Sequence, residues 1–287
     1  MKEKLLRTCL VLMAALALLT TTALADMGPK PQLRVRVENP PQGLYYLDLI
    51  AEGGLDRTHP NLSDEDRAEL DEGLLQSLLD AVPDGYHACL AQGTIAPMWG
   101  DLTAREDGVH FFNYVGVPAA YRILIVTESG ESWVTGPLTR PVLQSSVSVD
   151  WADKSVSTPP VWLAYVLQFL ATFLPTLVIE GVVLLLFGLS SKKNWRVFLL
   201  VNLLTQIGVF CSLGLTALRE GVGLGYYLLF ILVEVAVLTV EALLYRRFLT
   251  GTSRGRATAY GVTANLCSAA VGWLLAYPVW NVLSALC

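Results

Sequence analysis

At 287 residues, 53% hydrophobic and 16% charged, the chain is too apolar for an ordinary soluble domain and too charged to be membrane helices throughout. Its charge is partitioned: Asp26–Thr158 holds 9 Lys+Arg against 20 Asp+Glu, while Pro159–Cys287 holds 8 against 4. The acidic part is a poor partner for nucleic acid or anionic lipid, both of which select clustered Lys and Arg.

The chain opens with MKEKLLR, TCLVLMAALALL and TTALA: a charged stretch, a short apolar run and a small-x-small site at Ala23-Leu24-Ala25. This is the pattern of a secretory signal over residues 1–25. An apolar run of about a dozen residues is short for a span; an uncleaved anchor is the alternative. Cys9 would leave with the signal, Cys211 and Cys267 fall in apolar spans, and Cys287 ends the chain. Cys89 therefore has no cysteine partner inside residues 26–158, and a buried free thiol is expected, with a bridge to Cys287 or to another molecule as the alternatives.

From residue 26 to 158 the pattern is that of an extracytoplasmic, β-rich domain. Leu33-Arg34-Val35-Arg36-Val37 alternates strictly, as a half-buried strand does. Pro40-Pro41-Gln42-Gly43 turns the chain into a second strand at Tyr45–Ile50, so the pair reads as a hairpin or the start of a sandwich. Ser63 before Asp64-Glu65-Asp66 marks a helix start, with an apolar stripe of Leu70, Leu74, Leu75, Leu78, Leu79 and Val82 running to Pro83-Asp84-Gly85. The acids in that helix lack the alternating ligands of a calcium loop and read as a solvated face. Strands follow at Tyr86–Leu90, His110–Val115, Tyr121–Thr127, Glu131–Thr135 and Gln144–Val149, with the clearest hairpin turn at Glu128-Ser129-Gly130-Glu131. About seven short strands with one inserted helix suggest a β-sandwich-like domain. His59, His87 and His110 lack the mutual spacing of a zinc site, and neither a metal nor a cofactor is expected.

Residues 159–287 hold four apolar segments, 161–189, 195–218, 222–249 and 258–286, each long enough to span a bilayer. Lys192, Lys193 and Arg196, and Arg246, Arg247, Arg254 and Arg256, place the connections at 190–196 and 246–257 in the cytoplasm by the positive-inside rule. The signal independently places the N-terminal domain outside, and four spans return the C-terminus to that side. The expected architecture is thus α+β: an exported β-sandwich-like domain followed by a four-helix transmembrane bundle.

Within the spans, Glu180, Asn202, Gln206, Glu234, Glu241 and Asn265 all fall between the cytoplasmic interface and about the bilayer middle, at about 1.5 Å rise per residue. Glu234 and Glu241 share one helix face with Tyr245. A carboxylate/amide cluster is expected, with Thr205, Thr239 and Ser268 as lesser members. Interhelical hydrogen bonds that simply hold the bundle together are one explanation. A proton or cation site, or a polar pocket open to the cytoplasm, is the other, because no Lys, Arg or His lies inside the membrane, away from the charged cytoplasmic ends of the spans, to pair with three glutamates. The residues of an intramembrane protease or zinc hydrolase are absent, so no enzyme is expected.

Asp26-Met-Gly-Pro-Lys-Pro31, Asn202-x-x-Thr-Gln206 and Glu234-x6-Glu241-x3-Tyr245 together resemble a group of bacterial multi-pass membrane proteins, mostly Gram-positive, that have no assigned activity. The resemblance implies the architecture and a bacterial cell membrane, and no mechanism. The first functional reading is an envelope sensor or accessory subunit that binds a small-molecule ligand or a protein through its extracytoplasmic domain. The alternative is a small transporter or channel component using the intramembrane cluster for protons or cations. The bilayer is the expected partner, nucleic acid is excluded, and a homo-oligomer stays open.

Overall fold

The computed structural model describes residues 28–53 and 59–287. The signal of residues 1–25 and the first two residues of the Asp26–Pro31 motif lie outside the described residues. The chain forms two compact units, one comprising Thr172–Ala217 and Gly221–Tyr277, the other Lys30–Ala171, Leu218–Glu220 and Pro278–Cys287.

The second of these contains the β structure. Its elements are β1 (Gln32–Glu38), β2 (Tyr45–Glu52), α1 (Asp64–Ala68), α2 (Glu72–Asp80), β3 (Tyr86–Ala88), β4 (Trp99–Gly100), β5 (Val109–Asn113), β6 (Ala120–Thr127), β7 (Ser132–Val134), β8 (Leu138–Thr139), β9 (Gln144–Asp150) and β10 (Ser155–Ser157). One sheet has the order β10-β9-β1-β5-β4 and the other β3-β2-β6-β7, with β8 on β6. β1 and β2 therefore begin two sheets and do not form a hairpin. β1 pairs antiparallel with β5 and parallel with β9, Val35 facing His110 and Val147. Its alternating burial follows from having one face in the core, whereas β2 is buried from Tyr46 through Ile50. The reason is α2, which packs on β2 and β6 and covers their second face with Leu74, Leu75 and Leu78.

The expected single helix is two. Ser63 caps α1 through a capping box with Asp66. Asp71 starts α2 afresh, its side chain accepting from Leu74 N at 2.7 Å while its own N–H donates to the buried Tyr46 hydroxyl at 2.6 Å. A second N-cap at Asp71 restarts the helix at the angle that lays its leucines on the sheet. The β6–β7 hairpin turns where expected, with Gly130 at φ 85° and its N–H donating to Thr127 O at 2.9 Å. Cys89 is a buried free thiol.

Four helices are long and apolar enough to cross a membrane: α3 (Val161–Leu186), the run Lys192–Glu220, α6 (Leu224–Phe248) and α7 (Arg254–Ser284). The second run is α4 (Lys192–Val209), one π turn (Phe210–Gly214) and α5 (Leu215–Glu220). At the π turn a Cβ on Gly214 would come within 2.6 Å of the Phe210 ring, so a larger residue there would have to displace that ring. The first unit buries Val183, Leu184, Phe198, Val201, Tyr245, Tyr260 and Ala264 in one apolar cluster beside the polar site.

Candidate functional site: a carboxylate pair between two hairpins

Glu180 on α3 and Glu241 on α6 are each 1% exposed, Asn202 on α4 is fully buried and Asn265 on α7 is 2% exposed. Glu180 accepts from Asn202 Nδ2 at 3.1 Å and from Ser268 Oγ at 2.8 Å. Glu241 accepts from Asn265 Nδ2 at 2.9 Å and from Thr205 Oγ1 at 2.5 Å. Each carboxylate thus takes one amide and one hydroxyl, and each of its oxygens takes one donor. The Tyr245 hydroxyl accepts from Asn202 Nδ2 at 2.9 Å. Asn202 thus joins Glu180 to Tyr245, and the Thr205 hydroxyl on Glu241 lies 3.1 Å from Asn202 O, so the two carboxyl groups belong to one connected network. Tyr260 completes it, its hydroxyl 3.5 Å from Glu180 O and its ring edge-on to Tyr245.

The contacts are reciprocal. α3 with α4, and α6 with α7, are two helical hairpins joined at 187–191 and 249–253. Each glutamate takes its amide from the second helix of its own hairpin and its hydroxyl from the second helix of the other. The loops repeat the exchange. Ser191 accepts from Asn194 N and Ser253 from Arg256 N, three residues on in each case. Asn194 then reaches the other hairpin, donating to Thr250 O at 3.0 Å and accepting from Thr250 N at 2.9 Å, and Arg256 donates to Phe187 O at 2.6 Å. Gly188 and Gly251 take positive φ in the two loops, 67° and 74°. The sequences match at these places: Leu177, Glu180 and Phe187 with Leu238, Glu241 and Phe248, and Asn202-Leu-Leu-Thr205 with Asn265-Leu-Cys-Ser268. The four spans contain one hairpin twice, related by an approximate two-fold.

Acceptors outnumber donors in this cluster. Asn202 Oδ1 and Gln206 Oε1 are buried without a partner, while Gln206 Nε2 reaches only Thr176 Oγ1 at 3.5 Å. Buried acceptors beside two carboxylates favour whatever brings a proton or a positive charge.

Of the residues singled out from the sequence, Glu180, Asn202, Glu241 and Asn265 come together with Thr205 and Ser268, and Gln206 lies at their edge. Thr239 bonds its own helix at Val235 O. Glu234 stands apart: half-buried, it lines a cleft of about 180 Å³ between α6 and α7. Sequence reading missed Tyr260, Asn194 and the hairpin repeat. The signal for the repeat was present, because Glu180 precedes Asn202 by 22 residues and Glu241 precedes Asn265 by 24, each with Ser or Thr three residues further on.

In the β unit the histidines are dispersed. His110 is buried against the Tyr45 hydroxyl at 3.2 Å, His87 Nδ1 lies 3.2 Å from Gly53 O, and His59 pairs through its backbone with Thr94. Burial pulls the His110 imidazole down to about 4, so it is neutral in the core. Asp48 is fully buried and accepts from the N–H groups of Leu49, Leu90 and Ala91 at 2.7 to 3.1 Å. Burial outweighs those bonds and pushes its carboxyl up to about 7. It closes the turn after β3 from inside the core.

These features define a multi-pass membrane protein with a separate β unit. No family model, curated protein or solved structure matches the chain.

Proposed function

We propose that the protein binds a proton or a small cation between its repeated hairpins and acts as a small transporter or channel component. The observation that carries this reading is the Glu180–Glu241 cluster, two fully enclosed carboxyl groups held only by amides and hydroxyls, with acceptors in surplus. Two carboxylates in such an interior are satisfied by a shared proton or a bound cation, not by mutual contact. Both hairpins run in the same sense, and repeats of that kind place their ion sites at the repeat interface near the bilayer middle. Direct helix-to-helix bonding alone would be served by neutral amides, at about 0.6 to 2 kcal/mol each.

The charge distribution supports loops 190–196 and 246–257 in the cytoplasm, with the β unit and the C-terminus outside. The signal pattern and the resemblance to bacterial multi-pass proteins support a bacterial cell membrane. On this reading the protein is not an enzyme.

The test is carbodiimide labelling of the full-length protein in membranes, across pH and with added cations, beside Glu180→Gln and Glu241→Gln. Labelling of either glutamate that a particular cation or a rise in pH suppresses, with loss of ion flux in both variants, is expected. Labelling indifferent to both, with flux unchanged in the variants, would leave the cluster a structural one.

A second reading, an envelope sensor or accessory subunit, rests on a cleft of about 260 Å³ in the β unit whose walls include the hydroxyl residues Thr139, Ser145, Ser146 and Thr158. Specific capture of a ligand by the intact protein, lost on enlarging Ser146, would favour it.

A further inference from the structure

The two hairpins differ where the network ends, and the difference opens a second site. Gln206, one residue beyond Thr205, corresponds to Ala269 beyond Ser268; Phe173, seven residues before Glu180, corresponds to Glu234 before Glu241. In the first hairpin the two positions carry the large side chains Gln206 and Phe173. In the second, Ala269 leaves a cleft of about 180 Å³ between α6 and α7, and Glu234 lines it. The other walls are almost wholly carbon, with Phe230, Leu238 and Trp273 prominent. The Phe230 and Trp273 rings meet edge to face at 5.6 Å, and Tyr227 lies against Trp273 at 4.5 Å. Ile231, Val235 and Leu266 on its rim are exposed, so the cleft opens on the apolar outer surface of the helices. Among the described residues Glu234 has no hydrogen-bond or ion-pair partner.

Glu234 lies ten residues from the start of α6 and fourteen from its end. At about 1.5 Å per residue it is near the middle of a hydrocarbon layer about 30 Å thick. A phospholipid headgroup does not reach that depth. An inorganic cation needs several oxygen ligands, and the lining offers only Glu234 and Asn265, whose amide is already given to Glu241. A cation with an apolar body fits each wall: its carbons meet the aliphatic and aromatic side chains, and its charge meets a carboxylate and ring faces.

We propose that this cleft binds a lipophilic organic cation, one whose charge is spread or shielded enough to enter the bilayer interior. The site is built by the departure from two-fold symmetry and shares Asn265 with the Glu180–Glu241 network, but neither carboxyl of that pair lines it, so it does not rest on the ion reading of the pair.

The experiment is equilibrium binding of radiolabelled tetraphenylphosphonium to the full-length protein in lipid nanodiscs, with empty nanodiscs subtracted for partitioning. Wild type should bind it saturably. Glu234→Gln, which keeps the shape and removes the charge, should weaken binding about tenfold or more, and Ala269→Leu, which keeps the charge and fills the cleft, should weaken it as far. Glu180→Gln should bind as wild type does. Absence of saturable binding in wild type, or binding unchanged in Glu234→Gln, overturns the proposal. So does a change of oligomeric state in Ala269→Leu with binding retained, which would make the cleft a contact between copies. If Glu180→Gln alone abolishes binding, the cation belongs to the central pair and not to this cleft.

Discussion

Asn265 donates to Glu241 at 2.9 Å, and the residue that lets it do so is Gly261, one turn earlier on α7, whose carbonyl takes the second amide hydrogen at 3.0 Å. A side chain at Gly261 would stand 3.0 Å from the Tyr245 ring and 3.1 Å from Ala242 Cα. The ring can give a little, but the backbone of α6 cannot. Gly261→Ala should push α7 off α6 and break the Asn265–Glu241 bond, at about 1–3 kcal/mol, the usual range for overpacking. Thermal unfolding in detergent reads the loss, and unchanged stability would mean that the helices are not held this closely.

The reciprocal donors make a sharper prediction. Thr205→Val removes the hydroxyl on Glu241, and Ser268→Ala removes the one on Glu180. The approximate two-fold makes these equivalent, so each should lower stability by about 1 kcal/mol. Because both act on one connected network, the double variant should depart from additivity. A double-mutant cycle on the full-length protein measures this; strictly additive losses would mean two independent bonds.

Asp48 gives the β unit a pH dependence of definite sign. Its folded carboxyl sits at about 7, above the ordinary 3.8, so the fold favours the protonated form. The stabilisation is complete below about pH 4 and is lost as pH rises through about 7. Resistance of the β unit to proteolysis in denaturant should therefore fall between pH 5 and pH 8. Asp48→Asn should flatten that slope while lowering stability by about 1–3 kcal/mol, because its amide would face the backbone N–H groups that the carboxylate now accepts from. A slope that survives in Asp48→Asn belongs to another group.

Cys89 should be chemically silent in the native state. It is fully buried, and burial, together with the nearby Asp48 charge, holds its thiol well above the usual range. Maleimide should label it only on unfolding, so its labelling rate reports opening of the β core. Rapid labelling under native conditions would show that this part of the sheet opens locally.

Most strand and helix identities were legible from the sequence because each rests on local chemistry; β4, β8 and β10, two or three residues each, were not, because so short a strand is set by its neighbour in the sheet. Alternation in β1, the Ser63 cap, Gly130 in the turn and the length of the apolar runs act within a few residues. The break at Asp71 was not legible, because what fixes it is the Tyr46 hydroxyl, 25 residues away in β2. Nor was the placing of β1 and β2 in different sheets, since an alternating strand does not state which neighbour it pairs with.

The sequence by itself determined that four apolar segments follow an acidic β-rich stretch, and that carboxyl and amide side chains sit in those segments with no basic partner. Both are counts of residue types against the thickness of a bilayer and the pitch of a helix. The tertiary structure alone decided which polar groups meet. Glu234 and Glu241 share a helix face, yet only Glu241 joins Glu180, because helix periodicity sets direction while the crossing of neighbouring helices sets reach. Packing two similar hairpins against each other put the conserved-volume positions in register and brought Glu180 to Ser268, 88 residues away. Where they differ in volume at Gln206 against Ala269, a cleft opens beside Glu234.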